Sequence, residues 1–562
     1  MTYLKINRSF VSNKLLTLSV SILLFVTACQ SNKNTESKQL LTPPSANDAF
    51  YQEIADEIGL DFVHSIGDDE LSNIVESSGV GAAFIDFDQD GFIDIYACNG
   101  TWRENLSSGD KPKNPSHNHL YKNMGNGTFR DVTEQAKVGG PWYGMGITVG
   151  DYDNDGFPDI FLSNFGENVL LHNNGDGTFT DESESAGVKG GGKFSVGASW
   201  LDFDNDGFLD LYVGNYLFFD PEYDYYYAPD GFPGPLAYDS QPDILYRNNG
   251  DGTFEDVTQA MGIEDLDGRA MGVGIADYNA DGFVDIYVAN DHTVNYLWQN
   301  NQGKGFTDVG TMSGTGFSQS GEATVSMSVD FADFNGDGLL DIFISDDTYC
   351  SLYKNLGGNV FSDISYSAGI SVASGQFVGW SSSFLDFDND GDVDIFKSNG
   401  ELKHLYGHED QLFENIGNDK FEDISVDLSS YFQEENVGRG ACTGDYDNDG
   451  DLDIFIMNID GACKFIRNNK GNQNNWIEFS LQGTKSNRDG IGALVSITCG
   501  ETKQVAQKKS TTGYLSQGDP RMHFGVGKSE TIDLVEVKWP SGIVQKIANI
   551  QTNQILPIIE PE

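Results

Sequence analysis

Asp202-Phe203-Asp204-Asn205-Asp206-Gly207-Phe208-Leu209-Asp210 sets the reading of the whole chain. Carboxylates stand at relative positions 1, 3, 5 and 9, and a glycine stands at position 6. Alternate side chains of a tightly wound loop turn their oxygens toward one centre, and glycine takes the positive φ of the sharp turn without steric cost. That is the front of a calcium-binding loop. The same nonapeptide pattern starts again at Asp86, Asp151, Asp277, Asp333, Asp386 and Asp445, seven copies in all. Their starts lie 51 to 75 residues apart, as expected of a fixed supersecondary unit with variable insertions.

The pattern names the expected ligands. They are Asp86, Asp88, Asp90 and Asp94; Asp151, Asp153, Asp155 and Asp159; Asp202, Asp204, Asp206 and Asp210; and Asp277, Asn279, Asp281 and Asp285. The remaining loops offer Asp333, Asn335, Asp337 and Asp341; Asp386, Asp388, Asp390 and Asp394; and Asp445, Asp447, Asp449 and Asp453. Position 7 adds a backbone carbonyl. Four carboxylates gathered within a few ångströms repel one another unless a cation neutralises them, and hard oxygen donors select calcium over transition metals. About seven calcium ions are expected, one per loop. Asn279 and Asn335 keep an oxygen ligand but lose a charge, so their loops are expected to bind less tightly.

The flanks repeat too. A small-residue strand precedes each loop (GVGAAFI, GMGITVG, VGASWL), and an apolar strand follows it (IYACN, IFLSN, LYVGN and their siblings). A third strand, as in Ile244-Leu245-Tyr246-Arg247-Asn248, turns into a fourth of the form Phe-x-Asp, as in Phe254-Glu255-Asp256. Four short strands per repeat is the content of a propeller blade. The last repeat stops at Phe465-Ile466-Arg467-Asn468 without a Phe-x-Asp strand, and Phe50-Tyr51-Gln52-Glu53 at the other end supplies a candidate. A ring closed by that exchange has no unpaired edge. The expectation is an all-β, seven-bladed β-propeller over residues 48–472, followed by a small β domain over 473–562.

Loop, flanking strands and the N-x-G-x-G-x-F turn recur together in a way that resembles the FG-GAP/VCBS repeats of integrin-type propellers. In that family the loops bind structural calcium. The C-terminal stretches NNWIEFSLQGTKSNRDGIGALVSI, GYLSQGDPRMHFGVG and VEVKWPSG resemble an ASPIC/UnbV domain. This order of domains is similar to the cartilage acidic protein family and its bacterial relatives. The resemblance implies an extracellular calcium-binding protein and supplies no reaction.

The formal charge is −53, with 86 acidic residues against 33 Lys and Arg. A nucleic-acid partner is excluded, since it needs a basic footprint. Residues 475–562 are formally neutral, so the excess belongs to the rest of the chain. At the N-terminus, Lys5, Arg8 and Lys14 precede the apolar run 15–28, which ends in Val26-Thr27-Ala28-Cys29. The run is short for a membrane span and is read as a signal peptide over 1–28. Its end resembles a bacterial lipobox, which implies cleavage before Cys29 and lipidation of its thiol. Residues 29–47 read as a flexible tether. Gln30, rather than aspartate, points by the same resemblance to the outer membrane, with the lipid as the sole membrane contact. Five cysteines remain, and Cys442 with Cys463 is the one pair considered for a disulfide; buried thiols are the alternative.

Three insertions break the repeat: 101–119 with Trp102, 216–243 with its tyrosines, and 402–411 with His404 and His408. All follow the same strand of their blades and are expected on one face. Trp102, Tyr223, Tyr225, Tyr226 and Tyr227 are the candidate ligand face for a protein or glycan; the alternative is that the aromatics pack together and seal the surface. The function expected is a binding or adhesion platform. A secreted carbohydrate-active enzyme with its site in the aromatic loops is the second reading. No nucleophile triad, phosphate loop or redox cysteine motif stands in the required context.

Overall fold

A computed structural model describes residues 49–223 and 231–562. The signal peptide, the tether with Cys29, and Tyr225, Tyr226 and Tyr227 lie outside the described residues. Seven four-stranded antiparallel sheets form the blades. Their innermost strands are Ala82–Ile85, Gly144–Gly150, Ser195–Leu201, Ala270–Ala276, Ser326–Ala332, Gly379–Leu385 and Gly438–Gly444, which number the blades one to seven. In blade three, Asp210–Asn215, Ile244–Asn248 and Phe254–Asp256 follow outward in chain order. The second strand of every blade is buried along its length, because neighbouring blades cover both its faces. Blade seven is completed by the N-terminal strand, with Tyr51 opposite Asn468 and Glu53 opposite Ile466. The ring is thereby closed by hydrogen bonds between residues more than 400 positions apart.

The C-terminal residues form two further sheets. One holds Asn475–Gln482, Met522–Gly527 and Ile555–Ile559; the other holds Leu494–Cys499, Thr502–Gln507, Thr531–Lys538 and Val544–Gln551. They enclose a core around Ile477, Phe479, Val495, Val535 and Trp539.

This domain does not simply follow the propeller. Residues 508–519 leave it and run into the central channel, bonding to the innermost strand of every blade. Phe84 N–H donates to Gln517 O (3.0 Å), Ile147 N–H to Leu515 O (3.1 Å), and Asp519 N–H to Thr443 O (2.9 Å). Ser199 and Ser510 share a hydroxyl contact of 2.9 Å, and Thr511 donates to Val273 O at 3.1 Å. Lys509 Nζ reaches Phe331 O at 2.7 Å, and Tyr514 N–H reaches Ser381 Oγ at 3.0 Å. The small residues of the inner strands now have a physical reason. A Cβ on Gly81 would stand 1.8 Å from Leu515 O, and one on Gly440 would stand 2.6 Å from Ser516 Oγ. The hydroxyl-rich plug satisfies inner-strand backbone groups that an open channel would leave to water.

One sequence expectation is corrected. Cys442 and Cys463 form no disulfide; both are buried free thiols. Cys442 faces the channel, where its Sγ lies 3.0 Å from Ala82 O, while Cys463 packs in the core beside Phe465.

Candidate metal centres

The seven loops share one conformation. The position-1 carboxylate accepts from the N–H of positions 5 and 6 at 2.8–3.1 Å in each. The position-6 glycines turn with φ of +87° to +102°. Position 4 is left-handed as well and is mostly asparagine, a residue that tolerates that region. Its amide crosses to the next loop: Asn154 Nδ2 donates to Gly207 O (3.0 Å), Asn205 to Gly282 O (3.0 Å), and Asn448 to Gly91 O (3.0 Å).

A second ring of staples lies beneath. The third strand of each blade ends in asparagine: Asn123, Asn173, Asn248, Asn300, Asn355, Asn415 and Asn468. Each backbone N–H donates to the position-9 carboxylate of its own loop at 2.7–2.9 Å. Each side-chain Nδ2 donates to the position-2 carbonyl of the preceding blade at 2.7–2.9 Å. Every loop is thus tied both to its own blade and to a neighbour. These asparagines were visible in the sequence as a recurring strand end; their role was not, because the partner belongs to another blade.

The electrostatics show what the loops lack. Burial pushes the Asp86 carboxyl up to about 6, Asp202 to about 7, and Asp151 and Asp341 to about 8, with neighbouring loop carboxylates adding to the shift. Position-9 carboxylates are buried almost completely, and Asp210, Asp285, Asp394 and Asp453 lie well above the usual carboxylate range for the same reason. Several oxygens meet no donor at all: Asp88 Oδ1, Asp204 Oδ1, Asp285 Oδ2 and Asp447 Oδ1. Ligand oxygens of Asp86, Asp88 and Asp90, of Asp151, Asp153 and Asp155, of Asp202, Asp204 and Asp206, and of Asp386, Asp388 and Asp394 each gather within 4.8 Å. Buried, donor-poor and all oxygen, this donor set fits a hard divalent cation.

The insertions emerge at the opposite end of the blades, because they connect the second strand to the third whereas the Asp loops connect the first to the second. Leu106, Tyr216, Leu217, Phe232 and Tyr238 pack with Met145, Trp380 and the plug residues Tyr514 and Leu515, with Leu402 against them. Much of the aromatic insertion therefore seals the channel mouth. Tyr223 stays at the edge, 42% exposed, with its ring 5.4 Å from that of Tyr238. Trp102 is different. It lines a cleft of about 410 Å³ with Asp68, Asp69, Asp110 and Asn114, and its Nε1–H is buried without a partner.

Fold and loops together define a seven-bladed β-propeller built on acidic-loop repeats. The chain belongs to the FG-GAP-like repeat family, whose model matches residues 86–162, 151–213, 230–288, 277–344 and 333–396, and residues 483–562 match the ASPIC and UnbV domain. It is 25% identical over 331 residues to cartilage acidic protein 1 of Homo sapiens, and 27% over 330 residues to that of Xenopus tropicalis. These matches cover 57% of this chain and only 40% and 41% of those relatives' own length. Among solved structures, an Agrocybe aegerita lectin described as recognising non-reducing terminal N-acetylglucosamine aligns with 70% of this chain and 90% of its own, at 18% identity and a TM-score of 0.36.

Proposed function

We propose that the protein is a lipid-anchored, extracytoplasmic β-propeller, braced by calcium in its Asp loops, that presents a binding or adhesion surface to a protein or glycan. The observation that carries the reading is the set of seven tied loops, with buried carboxylate oxygens that lack donors in loops one, three, four and seven, in a chain of formal charge −53. Asp, Asn and backbone oxygens would hold the ions, which would bridge strands that carboxylate repulsion otherwise pushes apart. The loops are identical in plan and tied into the blade framework, as a structural brace would be. Binding then falls to the parts that break the repeat. The Trp102 cleft, with the carboxylates of Asp68, Asp69 and Asp110 and the amide of Asn114 on its walls, supports a small polar ligand there. The lipobox-like stretch ending at Cys29 supports an envelope protein held at the outer membrane.

The experiment is twofold. Chelation of the mature protein should lower its melting temperature markedly, since an ion bound only to the folded ring stabilises it; an unchanged melt removes calcium from the account. A glycan array read for both retention and cleavage separates a binder from a carbohydrate-active enzyme, and turnover of any glycan would replace the platform reading with the enzymatic one.

A further inference from the structure

Each loop is overlooked by the residue just before its staple asparagine, and that residue changes from blade to blade. In blade one it is Lys122, whose ammonium bonds Asp88 and lies 2.9 Å from Asp90. In blade three it is Arg247, 2.6 Å from Asp204 and 3.6 Å from Asp206. A side-chain cation therefore stands against the ligands at positions 3 and 5 of both loops. Blade six has Glu414 at the same register, paired across the strands with Glu422. Its loop also has Asp392 at position 7, where blades one to four carry phenylalanine. Loop six thus gathers Asp386, Asp388, Asp390, Asp392, Asp394 and Glu414, six carboxylates without a cation at that register. In blade seven position 7 is Asp451, but Arg467, bonded to Asn469 (3.1 Å), still acts on the Asp447 carboxylate, and Arg521 donates to Asp445 O and Asn448 Oδ1 at 2.6 Å, so cations attend loop seven as well. Asp451 is among the buried charged residues at 1% exposure, and its Oδ1 meets no donor.

We propose that the seven loops are unequal: loops one and three carry a built-in side-chain cation that weakens their hold on metal, whereas loop six is the tight divalent-cation site, set apart by Glu414 and Asp392. This rests on the reading of the loops as calcium sites. Loops one and three each have four carboxylates and one cation, a net −3; loop six has a net −6. A unit charge about 6 Å from a divalent ion changes its affinity by about tenfold in a solvent-like dielectric, and salt reduces this. Chelation should then act locally. Loop six loses its brace, while Lys122 and Arg247 go on holding loops one and three.

Hydrogen exchange of the mature chain, chelated and then titrated with calcium, reads each loop separately. The peptide covering 386–394 should lose protection on chelation and regain it at the lowest calcium additions, while 86–94 and 202–210 change little. Glu414→Lys, at a half-exposed strand position that tolerates lysine in blades one and five, should raise the calcium needed by loop six about tenfold or more. Lys122→Gln should make loop one more strongly calcium-dependent. Calcium uptake with a uniform response of all three peptides, or an unchanged loop-six titration in Glu414→Lys, overturns the inequality alone. No calcium uptake by the parent protein overturns the metal reading and the inequality together.

Discussion

Asn248→Ala tests whether the asparagine ring holds the blades together. Its Nδ2 donates to Tyr152 O of blade two at 2.8 Å and to Leu209 O of its own blade at 2.9 Å. Its Oδ1 accepts from Gly250 N–H at 2.9 Å, and the side chain is 3% exposed. Truncation leaves two buried carbonyls without a donor, each costing about 1–2 kcal/mol, while the Gly250 N–H lies in an open turn and can take water at a cost of about 0.5–1 kcal/mol. The expected loss is about 3–5 kcal/mol, large for one substitution. Urea unfolding at fixed calcium, followed by tryptophan fluorescence, measures it; Trp200 packs on Tyr152 beside the broken bond, with ring centroids 6.3 Å apart. Asn248→Asp separates donation from packing, because it keeps the size and replaces the donor with oxygens facing two carbonyls; it should cost at least as much. Asn126→Ala, in an exposed turn with one backbone bond at 3.1 Å, is the control and should cost under about 1 kcal/mol. A loss under about 1 kcal/mol for Asn248→Ala refutes the claim that the ring is a main inter-blade tie.

Three further outcomes follow from the same structure. The buried loop carboxyls of Asp86, Asp202 and Asp151 are pushed up to about 6, 7 and 8 in the folded state, so the stability of the chelated protein is highest at low pH and is lost as pH rises through about 6 to 8; the melting temperature in chelator should fall from pH 5.5 to 8.5, and calcium should flatten or reverse that trend. Gly81→Ala would place a Cβ 1.8 Å from Leu515 O and should unseat the plug; limited trypsin digestion should then cut at Lys508 and Lys509, which the intact protein protects in the channel. Cys29→Ser should move the protein from the membrane to the soluble envelope fraction, and retention in the membrane removes the lipid anchor.

The sequence carried the parts that repeat. Seven Asp loops, their apolar second strands and the unpaired Phe465–Asn468 segment were enough to specify a closed ring, because each signal is local and recurs. What stayed hidden is whatever depends on a partner remote in sequence. Asn248 looks like an ordinary strand end until Tyr152 O is seen beside it. The stretch Lys508–Asp519 reads as a polar loop, since Ser510, Thr511 and Gln517 show no apolar period; only the channel, lined by backbone groups and glycines, makes those hydroxyls and amides the suitable filling. The insertion tyrosines were ambiguous for a related reason. Aromatic residues serve burial and recognition equally well, and Tyr216 and Tyr238 are decided by the plug residues Tyr514 and Leu515 with which they are buried, whereas Trp102 lines a cleft.

The plug also bears on where this propeller can bind. In a ring of blades the central channel and its two mouths are the concave places, and here one chain segment occupies the channel while contacting all seven inner strands. One mouth is closed by the cluster of Tyr216, Phe232 and Tyr238 over Tyr514. At the other, the C-terminal domain rests on several loops: Asp489 accepts from Asp151 N–H at 2.8 Å, Gln507 from Asp277 N–H at 2.8 Å, and His523 meets Asn389 at 2.6 Å. A ligand reaching the axis would have to displace hydrogen bonds from several blades at once. Recognition is therefore driven outward, to the rim and to the insertions. The domain that fills the axis at the same time fixes the loops it touches, so that those loops, the plug and the ring support one another.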